Sequence, residues 1–279
     1  MILSGTTQLA GILGWPVGHS KSPRLHGYWL ERHGIDGAYV PLPVRPEAFA
    51  SALRALGDLG FRGVSLTVPH KVAALEVCDR LDAAAERIGA VNTVIFAEGR
   101  IEGRNTDAPG FLESLRQGAP EWRAAAGPAV VLGAGGAARA VVFALLEAGL
   151  AEIRLSNRTA ARAEGLARDF GTRVTAVPWE ARAEALAGAG LLVNTTSLGM
   201  TGQAGLDLAL ERLPESALVT DIVYAPLETD LLRRAQARGH KTVDGLGMLL
   251  HQGRPAFEAW FGVKPEVTPE LRAFVLGQD

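Results

Sequence analysis

Residues 128–149, PAVVLGAGGAARAVVFALLEAG, constrain the fold more than any other stretch of this chain. An apolar run, Ala129–Leu132, leads straight into Gly133, Gly135 and Ala138 at G-x-G-x-x-A spacing, and a long apolar helix pattern follows. Strand, glycine turn and helix in that order make a βα unit whose turn can receive a phosphate. Glycines let the backbone approach the ligand, and the helix N-terminus offers free N–H groups and the positive end of its dipole. Gly133, Ala134, Gly135, Gly136 and Ala137 therefore form a candidate pyrophosphate cradle. A turn that merely packs a helix tightly is the competing reading, and the agreement of all three elements favours binding.

The units that follow repeat the theme. EIRLSNRTAARAEGLARDFG is another strand and helix, GLLVNTTSLGM and ALVTDIVYAPL are strands ending in polar loops, and ETDLLRRAQARG is a helix stopped by Gly239. Repetition of βα units predicts a parallel sheet with helices on both faces. A site for NAD usually offers an acidic residue at the end of the second strand to hold the ribose 2′-hydroxyl. Here stand Asn157, Arg158 and Thr159, with Arg162 one turn later. A guanidinium pairs with a 2′-phosphate and cannot accept from a hydroxyl, which favours NADP(H). The alternative is a solvated loop charge in an Arg-rich chain.

The first hundred residues alternate strand and helix as well. QLAGILG is a strand, and SPRLHGYWLERHG a helix with Ser22 as N-cap and Pro23 at its first position. AYVPLPV reads as an edge strand because of its prolines. PEAFASALRALGDLG is a helix, FRGVSLTV a strand, and PHKVAALEVC a helix opened by Pro69. AVNTVIFAEGRIEGRNT is a hairpin turning at Glu98–Gly99, DAPGFLESLRQG a helix, and the tail from 246 to 279 two helices. A shift in composition over 116–128 marks a domain boundary after the helix at 107–118.

The chain is short of lysine: among 28 basic residues only Lys21, Lys71, Lys241 and Lys264 are Lys. Lysine, unlike arginine, can lose its proton when desolvated. Lys71 follows a strand, at the expected start of a helix, where the dipole disfavours a cation and a nearby carboxylate would relieve it. Polar clusters fall at comparable places: Ser20 and Ser22 after the first strand, Asn92 within an otherwise apolar strand, and Asn105, Thr106 and Asp107 where the hairpin hands over to a helix. Each has a structural alternative, since Ser22 and Asp107 could cap helices and Asn92 could satisfy the hairpin backbone.

Composition narrows the classes. In 279 residues, 48% hydrophobic and 21% charged, a net charge of −2 gives no field to recruit nucleic acid or an anionic membrane. No apolar run reaches membrane-spanning length, and the N-terminus lacks a signal-peptide pattern. Cys78 is the single cysteine, which excludes an internal disulfide or a CxxC site and fits a cytoplasmic location. The six histidines show no ligand spacing, so no metal is expected.

The joint order of GHSKSP, LTVPHK, GAVNT, NTDAPGF, GAGGAARA, SNRT, NTTSLGM and DGLGMLLHQG resembles the shikimate and quinate dehydrogenase family over nearly the whole chain. The resemblance implies two α/β domains. Residues 1–107 plus 246–279 would form a substrate-binding catalytic domain completed by C-terminal helices, and 108–245 a Rossmann-type NADP-binding domain. It implies Lys71 and Asp107 as the catalytic pair, and Ser20, Ser22, Thr67, Asn92, Tyr224 and Gln252 on the substrate. It adds Thr196, Ile222, Gly245 and Met248 to the cofactor site. The family usually writes Asn where this chain has Ser65, in VSLT, so Ser65 would meet the substrate with a shorter side chain. The implied reaction is reversible NADPH-dependent reduction of 3-dehydroshikimate to shikimate, a small-molecule chemistry in aromatic amino acid biosynthesis. Quinate dehydrogenase with NAD, a folate-linked NADP dehydrogenase and a non-catalytic NADP-binding module remain rivals, and monomer and homodimer are both open.

Overall fold

The structure, a computed structural model, describes residues 3–278. In chain order its elements are β1 (Gln8–Gly14), α1 (Ser22–Arg32), β2 (Gly37–Pro43), α2 (Phe49–Asp58), β3 (Phe61–Leu66), β4 (Arg80–Leu81), α3 (Ala83–Ile88), β5 (Thr93–Ala97), β6 (Arg100–Arg104) and α4 (Asp107–Gly118). There follow β7 (Ala129–Leu132), α5 (Gly136–Glu147), β8 (Ile153–Ser156), α6 (Ala160–Phe170), β9 (Val174–Val177), β10 (Leu191–Asn194), β11 (Leu218–Asp221), α7 (Asp230–Ala237), β12 (Thr242–Val243), α8 (Leu246–Phe261) and α9 (Pro269–Leu276). Two units share the chain, one running to Asp107 and resuming at Leu249, the other spanning Ala108–Met248. Among the described residues no helix is long and apolar enough to cross a membrane.

The first unit carries a mixed sheet ordered β2-β1-β3-β5-β6-β4. Strand β1 pairs in parallel with β2 and β3, while β5 runs antiparallel to both β3 and β6. Its proline-bearing strand β2 lies at the edge, where a missing N–H breaks no ladder. The hairpin turns at Glu98 and Gly99, both at positive φ (52° and 70°), as a two-residue turn that follows strand twist requires. On one face Leu13, Val64, Leu66, Val94 and Ile101 pack with Phe49 and Leu53 of α2. The other face is aromatic: His26 and Trp29 of α1 meet Tyr39, Phe257 and Trp260. Gly63 permits that packing, because Trp260 Nε1 donates to Val94 O at 2.9 Å and a Cβ at Gly63 would lie 2.0 Å from the same nitrogen.

The second unit carries a parallel sheet ordered β12-β11-β10-β7-β8-β9, a Rossmann-type arrangement. From β7 the chain steps outward through β8 and β9, then returns to the other side of β7 for β10, β11 and β12. That reversal leaves a crevice at the carboxyl ends of β7 and β10. The strands are buried on both sides, so they read as short continuous apolar runs. Leu231, Leu232 and Ala235 of α7 close one face over Val130, Leu192 and Val219.

Two expectations need correction. Residues 69–78 are not an α-helix: they form turns and one short 3₁₀ segment, Ala73–Glu76. The Lys71 carbonyl, which a helix would offer to Leu75, instead accepts from Val91 N–H at 2.8 Å, and Leu75 N–H turns back to Val72 O. With no helix there, dipole repulsion cannot be the reason Lys71 has a carboxylate partner. Nor is Ser22 the N-cap of α1. Helix geometry begins at Ser22, and the Ser20 hydroxyl accepts from Ser22 N–H at 3.2 Å. Four elements escape the sequence pattern. Strands β4 and β12 have two residues each, and β9 is a short edge strand. Helix α3 buries only Ala85 and Ile88, although Asp82 caps it through Ala85 N–H.

The tail returns to the first loop. Lys21 Nζ donates to Val275 O at 3.2 Å, and the Arg24 guanidinium donates to Phe274 O at 3.1 and 2.7 Å. Cationic donors on the last carbonyls of α9 satisfy orphan acceptors and match the negative end of the helix dipole. They also tether the segment bearing Ser20 and Ser22.

Candidate active site

In the first unit the crossover of the chain lies between β1 and β3, and the loops leaving their carboxyl ends run side by side. Thr67 N–H donates to Leu13 O and Trp15 N–H to Val68 O. The β1 loop carries Ser20 and Ser22, and the β3 loop carries Thr67 and Lys71. Just beyond, Leu66 N–H donates to Asn92 O at 2.7 Å, which brings the residue before β5 to the same end of the sheet.

There Lys71 Nζ donates to Asp107 Oδ2 at 2.5 Å, with side-chain exposures of 15% and 6%. The second carboxylate oxygen, Oδ1, accepts from Asn92 Nδ2 at 2.9 Å. Asn92 is itself fixed: its Oδ1 accepts from Thr106 N–H at 2.7 Å, and its amide lies 2.9 Å from Thr106 Oγ1 and 3.1 Å from Gln252 Oε1. Gln252 Nε2 donates back to Leu249 O, and Asn105 is pinned through Ala90 O. Both carboxylate oxygens thus have fixed donors, and the carboxylate cannot rotate without breaking one. At an effective dielectric of about 20 the pair attracts by on the order of 5 kcal/mol, against a desolvation penalty of several kcal/mol per ion. The balance is too close for stability alone to account for so nearly buried a pair.

His70, next to Lys71, serves as a pin. Its ring stacks on Phe49 at 4.4 Å, Nε2 meets Val44 O at 2.8 Å, and burial pushes its pKa down although the Val44 carbonyl opposes the shift. Ser65 lies on the aromatic face of β3, where its Oγ accepts from Tyr39 O–H at 2.8 Å. It pairs across the ladder with Thr93, whose hydroxyl is 3.1 Å from Thr106 Oγ1. The structure therefore brings Lys71, Asn92, Asp107 and Gln252 into one network, places Thr67 in the turn that leads to Lys71, and sets Ser65 one ladder step away. Thr106 was singled out in sequence but given no role, and its place joining Asn92 to Gln252 was not foreseen. Thr93 and Tyr39 were missed, and polar residues in apolar strands are the only signal they offered.

In the second unit, the carboxyl ends of adjacent strands carry the remaining candidates. Gly133 follows β7 at φ +110, and a Cβ there would lie 2.5 Å from Thr195 Oγ1 and 3.1 Å from the Thr195 carbonyl carbon. Gly135, just before α5, faces open space. A close turn below an open helix N-terminus fits a pyrophosphate. After β8, Asn157 Nδ2 donates to Thr159 O at 2.9 Å and shapes the turn. Arg158 and Arg162 are exposed, with no ion pair among the described residues. Thr196 follows β10, and its N–H and Oγ1 both donate to Asn194 Oδ1 at 3.0 and 2.8 Å. Ile222 and Tyr224 follow β11. Gly245 abuts Ile222, whose carbonyl oxygen would lie 2.3 Å from a Cβ there, and Met248 is buried in α8.

Comparison with known proteins covers most of the chain. A model described as shikimate dehydrogenase substrate binding domain matches residues 12–94. One described as shikimate / quinate 5-dehydrogenase matches 120–222, and a shikimate 5′-dehydrogenase C-terminal domain matches 245–269. The shikimate dehydrogenase (NADP(+)) of Paramagnetospirillum magneticum is 62% identical over 98% of this chain and all of its own. Shikimate 5-dehydrogenase of Thermus thermophilus, solved with NADP(H) and shikimate, is 45% identical with a TM-score of 0.86 over 98% of this chain and 100% of its own. Quinate dehydrogenase of Corynebacterium glutamicum, solved with NAD, is 30% identical with a TM-score of 0.89 over 97% and 99%.

Proposed function

The chain belongs to the shikimate dehydrogenase family, and from that membership we propose that it catalyses the reversible NADPH-dependent reduction of 3-dehydroshikimate to shikimate. NADPH, when bound, supplies the hydride for the C3 carbonyl. The chain's own groups handle the proton. Lys71, as an ammonium, gives a proton to the oxygen on which negative charge develops, and Asp107 orients and balances that ammonium. Asn92 holds the far oxygen of Asp107, so the Lys71 nitrogen presents its other N–H bonds in a fixed direction. Ser20 and Ser22 bind the substrate carboxylate through neutral hydroxyls, and Thr67, Asn92, Gln252 and Ser65 bind ring hydroxyls, with Tyr224 at the reacting end. The unit of residues 108–248 holds the dinucleotide: Gly133–Ala137 at the pyrophosphate, Asn157, Arg158, Thr159 and Arg162 at the 2′-phosphate, and Thr196, Ile222, Gly245 and Met248 toward the nicotinamide.

The observation that carries this reading is the 2.5 Å Lys71–Asp107 contact at the carboxyl end of the first sheet. The cofactor assignment is supported by two guanidiniums where an NAD site would place a carboxylate. Initial rates for shikimate and quinate oxidation, each with NADP⁺ and NAD⁺, test it. Shikimate with NADP⁺ is expected to dominate in kcat/KM, and dominance of quinate with NAD⁺ would overturn the substrate and cofactor assignments together.

A further inference from the structure

At the end of β11 lies a carboxylate that the proposed chemistry does not use. Asp221 is fully buried, and burial lifts its pKa to about 6 even though its hydrogen bonds pull the other way. Three donors converge on it. Asn194 Nδ2 and Val223 N–H each donate to Oδ1 at 3.0 Å, and Thr229 Oγ1 donates to Oδ2 at 2.8 Å. These donors come from three places: the end of β10, the loop after β11, and the cap of α7.

The β10–β11 pairing does not need this group. Four parallel register pairs, Leu191–Leu218 to Asn194–Asp221, already align the strands, and their side chains are buried. What Asp221 adds lies beyond the strands. Asn194 turns its Oδ1 to the N–H and hydroxyl of Thr196 and its amide to Leu198 O as well as to Asp221, so it relays the carboxylate into the β10 loop. Val223 N–H lies between Ile222 and Tyr224, so the same oxygen also holds the β11 loop. A buried charge is tolerated where replacement by an apolar group would strand several donors at once.

We infer that Asp221 is a positioning residue whose carboxylate locks the loop after β10 to the loop after β11, fixing Thr196 relative to Ile222 and Tyr224. The inference rests on the dinucleotide reading of those loops. It predicts that loss of the clamp weakens the cofactor far more than the substrate, which meets these loops only through Tyr224.

Full-length Asp221→Ala, Asp221→Asn and Thr229→Val are titrated with NADPH by fluorescence, and with shikimate in the absence of cofactor by calorimetry. Asp221→Ala is expected to raise the NADPH Kd at least tenfold and to lower kcat, with a severalfold smaller change in the shikimate Kd. Asp221→Asn keeps an oxygen for Asn194 and Val223 and is expected to restore most of the affinity. Should Asp221→Ala fail to accumulate as folded protein, Thr229→Val, which at nearly constant shape removes one donor to Asp221 together with the cap acceptor for Leu232 N–H, is expected to raise the NADPH Kd two- to fivefold. An NADPH Kd within twofold of the parent in a folded Asp221→Ala or, failing that, in Thr229→Val overturns the inference, as does a loss of shikimate affinity as large as the loss of NADPH affinity. NADPH binding is read without turnover, so a parent that binds NADPH but fails to oxidise shikimate refutes the catalytic reading and leaves this one standing. A parent that binds no dinucleotide refutes both.

Discussion

His26 shows how a single buried group can set the response to pH. Its ring is fully buried and stacks on Tyr39 at 4.2 Å, and neither ring nitrogen has a hydrogen-bond partner among the described residues. Burial holds its pKa down at about 3, from an ordinary value of 6.5. The unfolded chain therefore takes up a proton below about 6.5 that the folded chain refuses until about 3, and stability is lost as pH falls through that window. At pH 5 the loss is about 2 kcal/mol relative to neutral pH. Asp221 has the opposite sign: its raised pKa means the folded state binds a proton first, and stability is gained as pH falls from about 6 towards 4. Replacing His26 with Phe keeps an aromatic ring in the box and removes two unsatisfied nitrogens. His26→Phe should stabilise the protein by about 1 kcal/mol at pH 7 and by about 3 kcal/mol at pH 5. The Asp221 contribution is common to both chains and cancels in the difference. Urea unfolding at the two pH values measures the gap, and an equal gap at both would show that His26 is not held neutral. Sequence gave no hint of this residue, because its burial depends on Phe257 and Trp260 from the far end of the chain.

At the scale of elements, the strand–turn–helix pairs were legible wherever the deciding interactions are local. The G-x-G-x-x-A turn, the proline-marked edge strand β2 and the Glu98–Gly99 hairpin all rest on backbone preferences that neighbouring residues specify. Residues 69–78 were not legible, since the carbonyl that a helix would have used is taken by Val91, twenty residues on. The junction of β8 and α6 gives a prediction of its own. Arg158 follows the strand, exposed and with no ion pair among the described residues, so its removal frees no buried partner. Arg158→Ala should raise KM for NADPH by roughly ten- to a hundredfold, as expected for losing a charge-assisted bond worth roughly 1.5–3 kcal/mol. KM for NADH should hardly move. Steady-state kinetics with both cofactors measure this, and an equal change in the two would contradict the 2′-phosphate assignment.

For the whole molecule, each sheet gathers most of its candidate residues at the edge where its parallel strands end, beside a reversal of strand order, and in the first sheet the antiparallel β5 starts at that same edge with Asn92. That rule makes residues far apart in sequence groupable from the order of strands and loops alone. Lys71 and Asp107 were legible as polar groups just past strands and Asn92 as a polar residue in an apolar one, and Gln252 only through family resemblance, because nothing local marks a glutamine in an apolar helix. The geometry of the pair was not legible: the helix dipole expected beside Lys71 does not exist there. What holds Asp107 in place is the Asn92–Thr106–Gln252 network. The most direct measurement is therefore kcat of Lys71→Ala for 3-dehydroshikimate reduction, with NADPH affinity measured in parallel. Loss of a positioned proton donor predicts a fall in kcat of ~10² or more with NADPH Kd unchanged. A kcat within a few-fold of the parent would contradict the assignment of proton transfer to Lys71 and Asp107.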